Sequence, residues 1–137
     1  MIHGSCLCGA VAYSVAGPVS DVVHCHCESC RKAHGSAFGS VVSVPVDAFS
    51  LAGAEHLSRF ESSPGKWRHF CRHCGTHIYA RRDRKENVAI SLGTLDSDLP
   101  SREFARIWLS DRANWYDPDA DLPRYDRSWR DGRPTNR

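Results

Sequence analysis

Apolar and β-branched residues come in short bursts along this chain, punctuated by Gly and Pro. The bursts fall at 10–15, 21–24, 37–44, 57–61, 67–70, 77–80, 88–92 and 104–109, and each is strand-length. Some alternate as the two faces of a strand require, for instance Val11-Ala12-Tyr13-Ser14-Val15. Helical spacing is scarce. Residues 27–34 predict one short helix with Gly35 just beyond its end, and Asp47-Ala48-Phe49 predicts a single turn. The pattern is that of a mainly β protein whose chemistry sits on turns and strand ends. With no internal repeat and no low-complexity linker, residues 1–137 read as a single domain.

Composition narrows this picture. The hydrophobic share of 41% allows only a modest core, so a chain of 137 residues gains from a staple such as a bound metal. Eighteen Lys+Arg face sixteen Asp+Glu, and the net charge of +2 gives no reason to expect a polyanionic partner. The start, MIHGSCLCGAVAYSV, has no basic region followed by a long apolar run. No stretch approaches the roughly 18 consecutive apolar residues that cross a bilayer. The expectation is a cytoplasmic protein with no membrane partner.

The closing segment from 111 to 137 is rich in Asp, Arg, Pro and Trp with alternating charge. It predicts a solvated stretch pinned to the body by Trp115, Tyr116 and Trp129. Its aspartates at 111, 117, 119, 121, 126 and 131 would repel phosphate, so nucleic acid is not expected there. The basic run Arg81-Arg82-Asp83-Arg84-Lys85 is the other candidate for such a face. Interrupted by Asp83, it reads as a solvated hairpin loop.

Chemistry enters with seven cysteines, Cys6, Cys8, Cys25, Cys27, Cys30, Cys71 and Cys74. Their odd count and close spacing favour metal ligation over a disulfide framework in a reducing compartment. Cys6-x-Cys8-Gly9 and Cys71-x₂-Cys74-Gly75 are two knuckle-like turns, each ending in a glycine. Together they supply four thiolates for a closed tetrahedral zinc site that staples the start of the chain to its middle. That site is read as purely structural.

Cys25-x-Cys27-x₂-Cys30 is different, because it offers three thiols on one short turn. Zinc sites that do chemistry keep three protein ligands and an open fourth position. Three thiolates make a weak Lewis acid but a good host for a soft thiol, which zinc binding deprotonates. The alternative is closure by a histidine. His24 and His26 alternate with the cysteines and would point away on a strand, which leaves His34, four residues after Cys30, as the candidate. His3, His56, His69, His73 and His77 read as surface groups or polar partners near the metals.

The motifs Gly4-Ser5-Cys6-Leu7-Cys8-Gly9-Ala10-Val11, Cys25-His26-Cys27-Glu28-Ser29-Cys30-Arg31-Lys32, Gly35-Ser36-Ala37-Phe38 and Phe70-Cys71-Arg72-His73-Cys74-Gly75 recur in a recognisable order. So do Ile107-Trp108, Asn114-Trp115 and Asp121-Leu122-Pro123-Arg124-Tyr125. Over nearly its whole length the chain resembles the glutathione-dependent formaldehyde-activating enzymes, a family that includes relatives of centromere protein V. The resemblance implies several small curled antiparallel β-sheets around two zincs, with few short helices. One zinc would sit on Cys6, Cys8, Cys71 and Cys74, and a catalytic one on Cys25, Cys27 and Cys30. It also implies carbon–sulfur lyase chemistry on a small thiol such as glutathione and a small aldehyde, forming S-hydroxymethylglutathione from formaldehyde. Arg31, Gly35 and Ser36 are candidates to receive a substrate carboxylate or carbonyl oxygen. The competing reading is a non-catalytic zinc module that binds protein or nucleic acid. A redox sensor that releases zinc on oxidation is a third.

Overall fold

The computed structural model describes residues 1–132, 134 and 135. Arg133, Asn136 and Arg137, which belong to the closing segment expected at 111–137, lie outside the described residues. The elements in chain order are β1 (Ile2–Ser5), β2 (Ala12–Val15), β3 (Val22–Cys25), α1 (Glu28–His34), β4 (Gly39–Pro45), β5 (Phe49–Ala52), β6 (Leu57–Ser63), β7 (Lys66–Cys71), β8 (His77–Arg82), β9 (Asn87–Ser91) and β10 (Glu103–Ile107). A turn of 3₁₀ helix over Val46–Ala48 stands where the single turn is expected. The mainly β expectation holds. The eight apolar bursts fall on eight of these strands, β2 to β4 and β6 to β10, while β1 and β5, four residues each, carry no strong pattern of their own.

Two sheets form. The smaller has strand order β1-β2-β5, and the larger β10-β3-β4-β9-β8-β7-β6. Neighbours pair antiparallel except β10 with β3, which run parallel with Ile107 opposite Cys25. The core lies between the sheets. Val42 and Val44 of β4, Val88 and Ile90 of β9 and Ile78 of β8 meet Tyr13 and Val15 of β2 there. Tyr13 packs on Phe49 at 5.5 Å between centroids, and Phe49 on Tyr79 at 4.9 Å. Gly4 is required beneath Tyr13, because a Cβ there would overlap the phenol ring.

Alternation along the strands sends a second set of residues to the opposite face of the large sheet. Val41, Ala89, Ala80, Lys66 and Arg68 lie there, at adjacent positions in the ladder. Small alanines at two neighbouring register positions leave that face concave. Between His69 and Phe70 the β7–β8 register shifts, so that Ile78 is an extra residue. This bulge switches the parity of β8. Ile78 goes to the core, while His77 shares the concave face with Ala80 and Arg82.

The closing segment departs from expectation in part. Tyr116 does pin it, packing on Phe38 at 5.5 Å and on His26 at 5.7 Å, and Ala113 is buried. Trp115 and Trp129 are not pins, being 69% and 67% exposed. The Trp129 ring lies against Arg130 instead, 5.1 Å from its guanidinium. Of the run 81–85, read from the sequence as a solvated hairpin loop, Arg81 and Arg82 end β8 and are paired in the sheet, while Asp83, Arg84 and Lys85 lie in the exposed β8–β9 connection.

Candidate metal centres and the adjoining cavity

The four outer cysteines converge. Their sulfurs all lie within 4.8 Å of one another, with Cys6 3.6 Å from Cys8 and Cys8 3.8 Å from Cys71. A tetrahedral ion with Zn–S bonds of about 2.3 Å sets ligand sulfurs about 3.8 Å apart, so this group has the right size. Both knuckles turn on glycines in the left-handed region, Gly9 at φ 82° and Gly75 at φ 76°. Their N–H groups donate back to the carbonyls of Cys6 and Cys71. Thr76 ties the knuckles together, accepting from the Leu7 N–H and sitting 3.2 Å from Cys74 Sγ. That hydroxyl contributes most to holding the Cys74 thiol down, to about 5.

The three inner sulfurs also lie within 4.8 Å of one another. Cys25 ends β3, and Cys27 caps α1 by accepting from the Cys30 N–H at 3.3 Å. The helix ends at Gly35 in the left-handed conformation, as the sequence predicts. Burial pushes the Cys27 thiol up, but the Cys30 N–H, the neighbouring thiols and Lys66 outweigh it and bring the thiol below its ordinary value. Burial first, then the adjoining thiols, drives Cys25 up. The donor chemistry of both groups, soft sulfur at tetrahedral spacing, fits a zinc ion.

Among the described residues no histidine joins the inner group. His24 bonds Ser40 Oγ and Glu103, each at 2.8 Å. His26 is wholly buried between Phe38 and Tyr116. The His34 ring lies over Gly39 and faces His77 at 4.5 Å. A cavity of about 460 Å³ opens beside the three thiols. Its floor is the concave face of the large sheet, with Lys66, Arg68 and Arg82 on one side. Trp108, which follows β10 at φ 57° and is 61% exposed, stands at its rim.

His34 and His77 line this cavity, and each has a buried Nε2 without a partner among the described residues. Burial, then nearby cations, lowers His34 to about 4. Burial and then His34 lower His77 to about 3, so both rings are neutral at pH 7. Nδ1 of His77 is 2.6 Å from Ser91 Oγ. Lys66 is held below its ordinary value by burial and by Arg68.

The anion-receiving groups expected at Arg31, Gly35 and Ser36 are not in the cavity wall. Ser36 is a turn hydroxyl that donates to the Phe38 carbonyl. The cations of β7 and β8 stand there instead. Lys66 and Arg68 are two residues apart on one strand, and that inward-facing alternation of charge is the one signal the sequence held for them.

The family model described as glutathione-dependent formaldehyde-activating enzyme matches residues 1–111. A protein of Halomonas elongata that bears that name provisionally is 34% identical over 125 residues, covering 84% of this chain and 79% of its own. A Penicillium rubens protein with the same provisional name is 33% identical over 105 residues, and the match takes in 72% of this chain but 48% of that protein. The chain thus spans about half of the fungal relative. A crystal structure of a Rhodobacter sphaeroides protein superposes with a TM-score of 0.61 at 24% identity, covering 76% of this chain and 98% of that one. It shares the fold.

Proposed function

The chain belongs to the glutathione-dependent formaldehyde-activating enzyme family, and from that premise we propose that it is a zinc-dependent enzyme of carbon–sulfur lyase type. Its substrates would be a small thiol such as glutathione and a small aldehyde such as formaldehyde, joined as an S-hydroxymethyl adduct or released from one. The observation that carries this reading is the group Cys25, Cys27 and Cys30, three converging sulfurs with no fourth protein ligand among the described residues, at the wall of a substrate-sized cavity. Cys6, Cys8, Cys71 and Cys74 would hold the second, structural zinc of a single unit over residues 1–137. A zinc ion on three thiolates keeps a soft thiol deprotonated at neutral pH.

The remaining work falls to the chain. The adduct forms when sulfur's electron pair bonds the aldehyde carbon and the carbonyl π pair moves to oxygen. No electron leaves or enters, and the thiol's proton ends on that oxygen. The rings of His34 and His77, which line the cavity and stay neutral at pH 7, suit hydrogen bonding to that oxygen rather than carrying the proton. Lys66 and Arg82, cross-strand partners on the cavity face, suit a carboxylate of the thiol substrate. Among the described residues no helix is long and apolar enough to cross a membrane. A cytoplasmic setting, where glutathione is abundant and thiols stay reduced, is part of the proposal.

The test is cobalt-substituted protein titrated with glutathione, beside zinc counts for wild type and Cys27→Ser. Two metals falling to about one with the fold kept, and a thiol-dependent change in the inner cobalt spectrum, are the expected results. A spectrum indifferent to glutathione would instead favour a non-catalytic zinc module.

A further inference from the structure

Arg68 sits in the middle of β7 and is 4% exposed. A guanidinium so far from water is unfavourable unless an anion balances it. Two of its donors are placed. Nε donates to Ser62 Oγ at 2.9 Å, and Nη2 to Cys30 Sγ at 3.6 Å. Among the described residues no carboxylate lies within ion-pair distance of it. The anion-forming group it touches is therefore the inner sulfur group. Three thiolates around a divalent ion carry one net negative charge, in a cavity wall where Cys25 and Cys30 are both buried. The outer group differs in kind, since Cys8 reaches the surface and water screens its charge.

We propose that Arg68 is a positioning residue for the inner site, supplying a buried positive charge that helps balance three thiolates around a divalent ion and fixing Cys30 Sγ as a ligand. This rests on the reading of Cys25, Cys27 and Cys30 as a metal site. It assigns separate jobs to the cavity's cations. Arg68 is hydrogen-bonded to the protein's own sulfur, whereas Lys66, which also acts on the inner thiols through its charge, and Arg82 face the cavity without an ion-pair partner among the described residues. Ser62, at the end of β6, belongs to the same device because it holds Nε and so aims Nη2. Partners that orient a metal ligand in this way typically change metal affinity by about 10–100-fold.

The experiment compares full-length wild type with Arg68→Met and Arg68→Lys. Met keeps the length and apolar stem of arginine without its charge. Lys keeps the charge without the two-point grip. Cobalt and zinc affinities of both sites are read by chelator competition, with the sulfur-to-cobalt charge-transfer band recorded for each. The expected result is a 10–100-fold weaker inner site in Arg68→Met, a shifted inner band, an unchanged outer site, and partial recovery in Arg68→Lys. An inner affinity within twofold of wild type would overturn the proposal, as would equal weakening at both sites, the mark of a residue that only holds the fold. Should Arg68→Met fail to fold, Ser62→Ala decides. A several-fold loss at the inner site alone supports the proposal, and no change refutes it. Metal affinity is measured without any thiol. A protein that loses inner metal on Arg68→Met yet ignores glutathione would keep this proposal and lose the functional one.

Discussion

Acidification should weaken this fold through His34 and His77, whose native rings stay neutral where unfolded imidazoles gain a proton. Both rings are largely buried and held well below the ordinary imidazole value of 6.5, at about 4 and about 3. A histidine with a lowered native value contributes stability above its unfolded value. That stability is lost as pH falls below about 6.5, because the unfolded chain binds a proton that the native chain refuses. Between pH 7 and pH 5 an unfolded imidazole goes from about one-quarter to almost fully protonated, while both native rings stay neutral. Each ring then gives up about 2 kcal/mol, or about 4 kcal/mol for the pair. The figure hardly depends on how far below 5 the native values lie. His77→Asn removes one titrating ring and keeps a group able to bond Ser91. In urea unfolding of zinc-loaded protein, its deficit relative to wild type should therefore shrink by about 2 kcal/mol from pH 7 to pH 5. Other acid-sensitive groups, the thiolates included, act on both proteins alike and drop out of that difference. A deficit equal at the two pH values would refute the reasoning.

Other outcomes follow from the same geometry. In Gly39→Ala the new Cβ would stand 2.7 Å from His34 Nε2 and 2.8 Å from its Cδ2, with His77 behind the ring, so the ring cannot simply swing away. A loss of about 1–3 kcal/mol in thermal or urea unfolding is expected, and an unchanged midpoint would show that the ring has room. Cys71→Ser removes a fully buried member of the outer group and should abolish cooperative unfolding along with that metal, since structural zinc contributes about 10 kcal/mol or more to small folds. A Cys71→Ser protein that still melts sharply would remove the staple reading. Replacing Lys66 or Arg82 by Met should weaken glutathione binding by roughly tenfold while leaving a neutral thiol such as 2-mercaptoethanol unaffected. Equal effects on both thiols would place the carboxylate elsewhere.

What the sequence settled by itself was local. Glycines directly after Cys8 and Cys74 permit the left-handed turns that aim neighbouring thiols at one point, so spacing alone sorts the cysteines into four and three. Cys27 and Gly35 mark the ends of α1 because caps act within one turn of chain. Strong period-2 bursts became strands for the same local reason. What only the tertiary structure decided depends on pairing between distant segments. Ile2–Ser5 and Phe49–Ala52 are strands because β2 offers them hydrogen bonds, not because their own pattern demands it. His77 reaches the cavity through a bulge at Ile78, a change of parity that no alternation in the sequence announces. His34 failed to join the sulfurs because its ring found room over Gly39, on a strand five residues further along. Arg68 reads as one more charge in a polar strand, until β6 and the inner cysteine turn close around it and leave sulfur as its counter-charge. The two candidate ligand sets are written in residue type and spacing. The charge balance and the cavity around those ligands are properties of the assembled sheet.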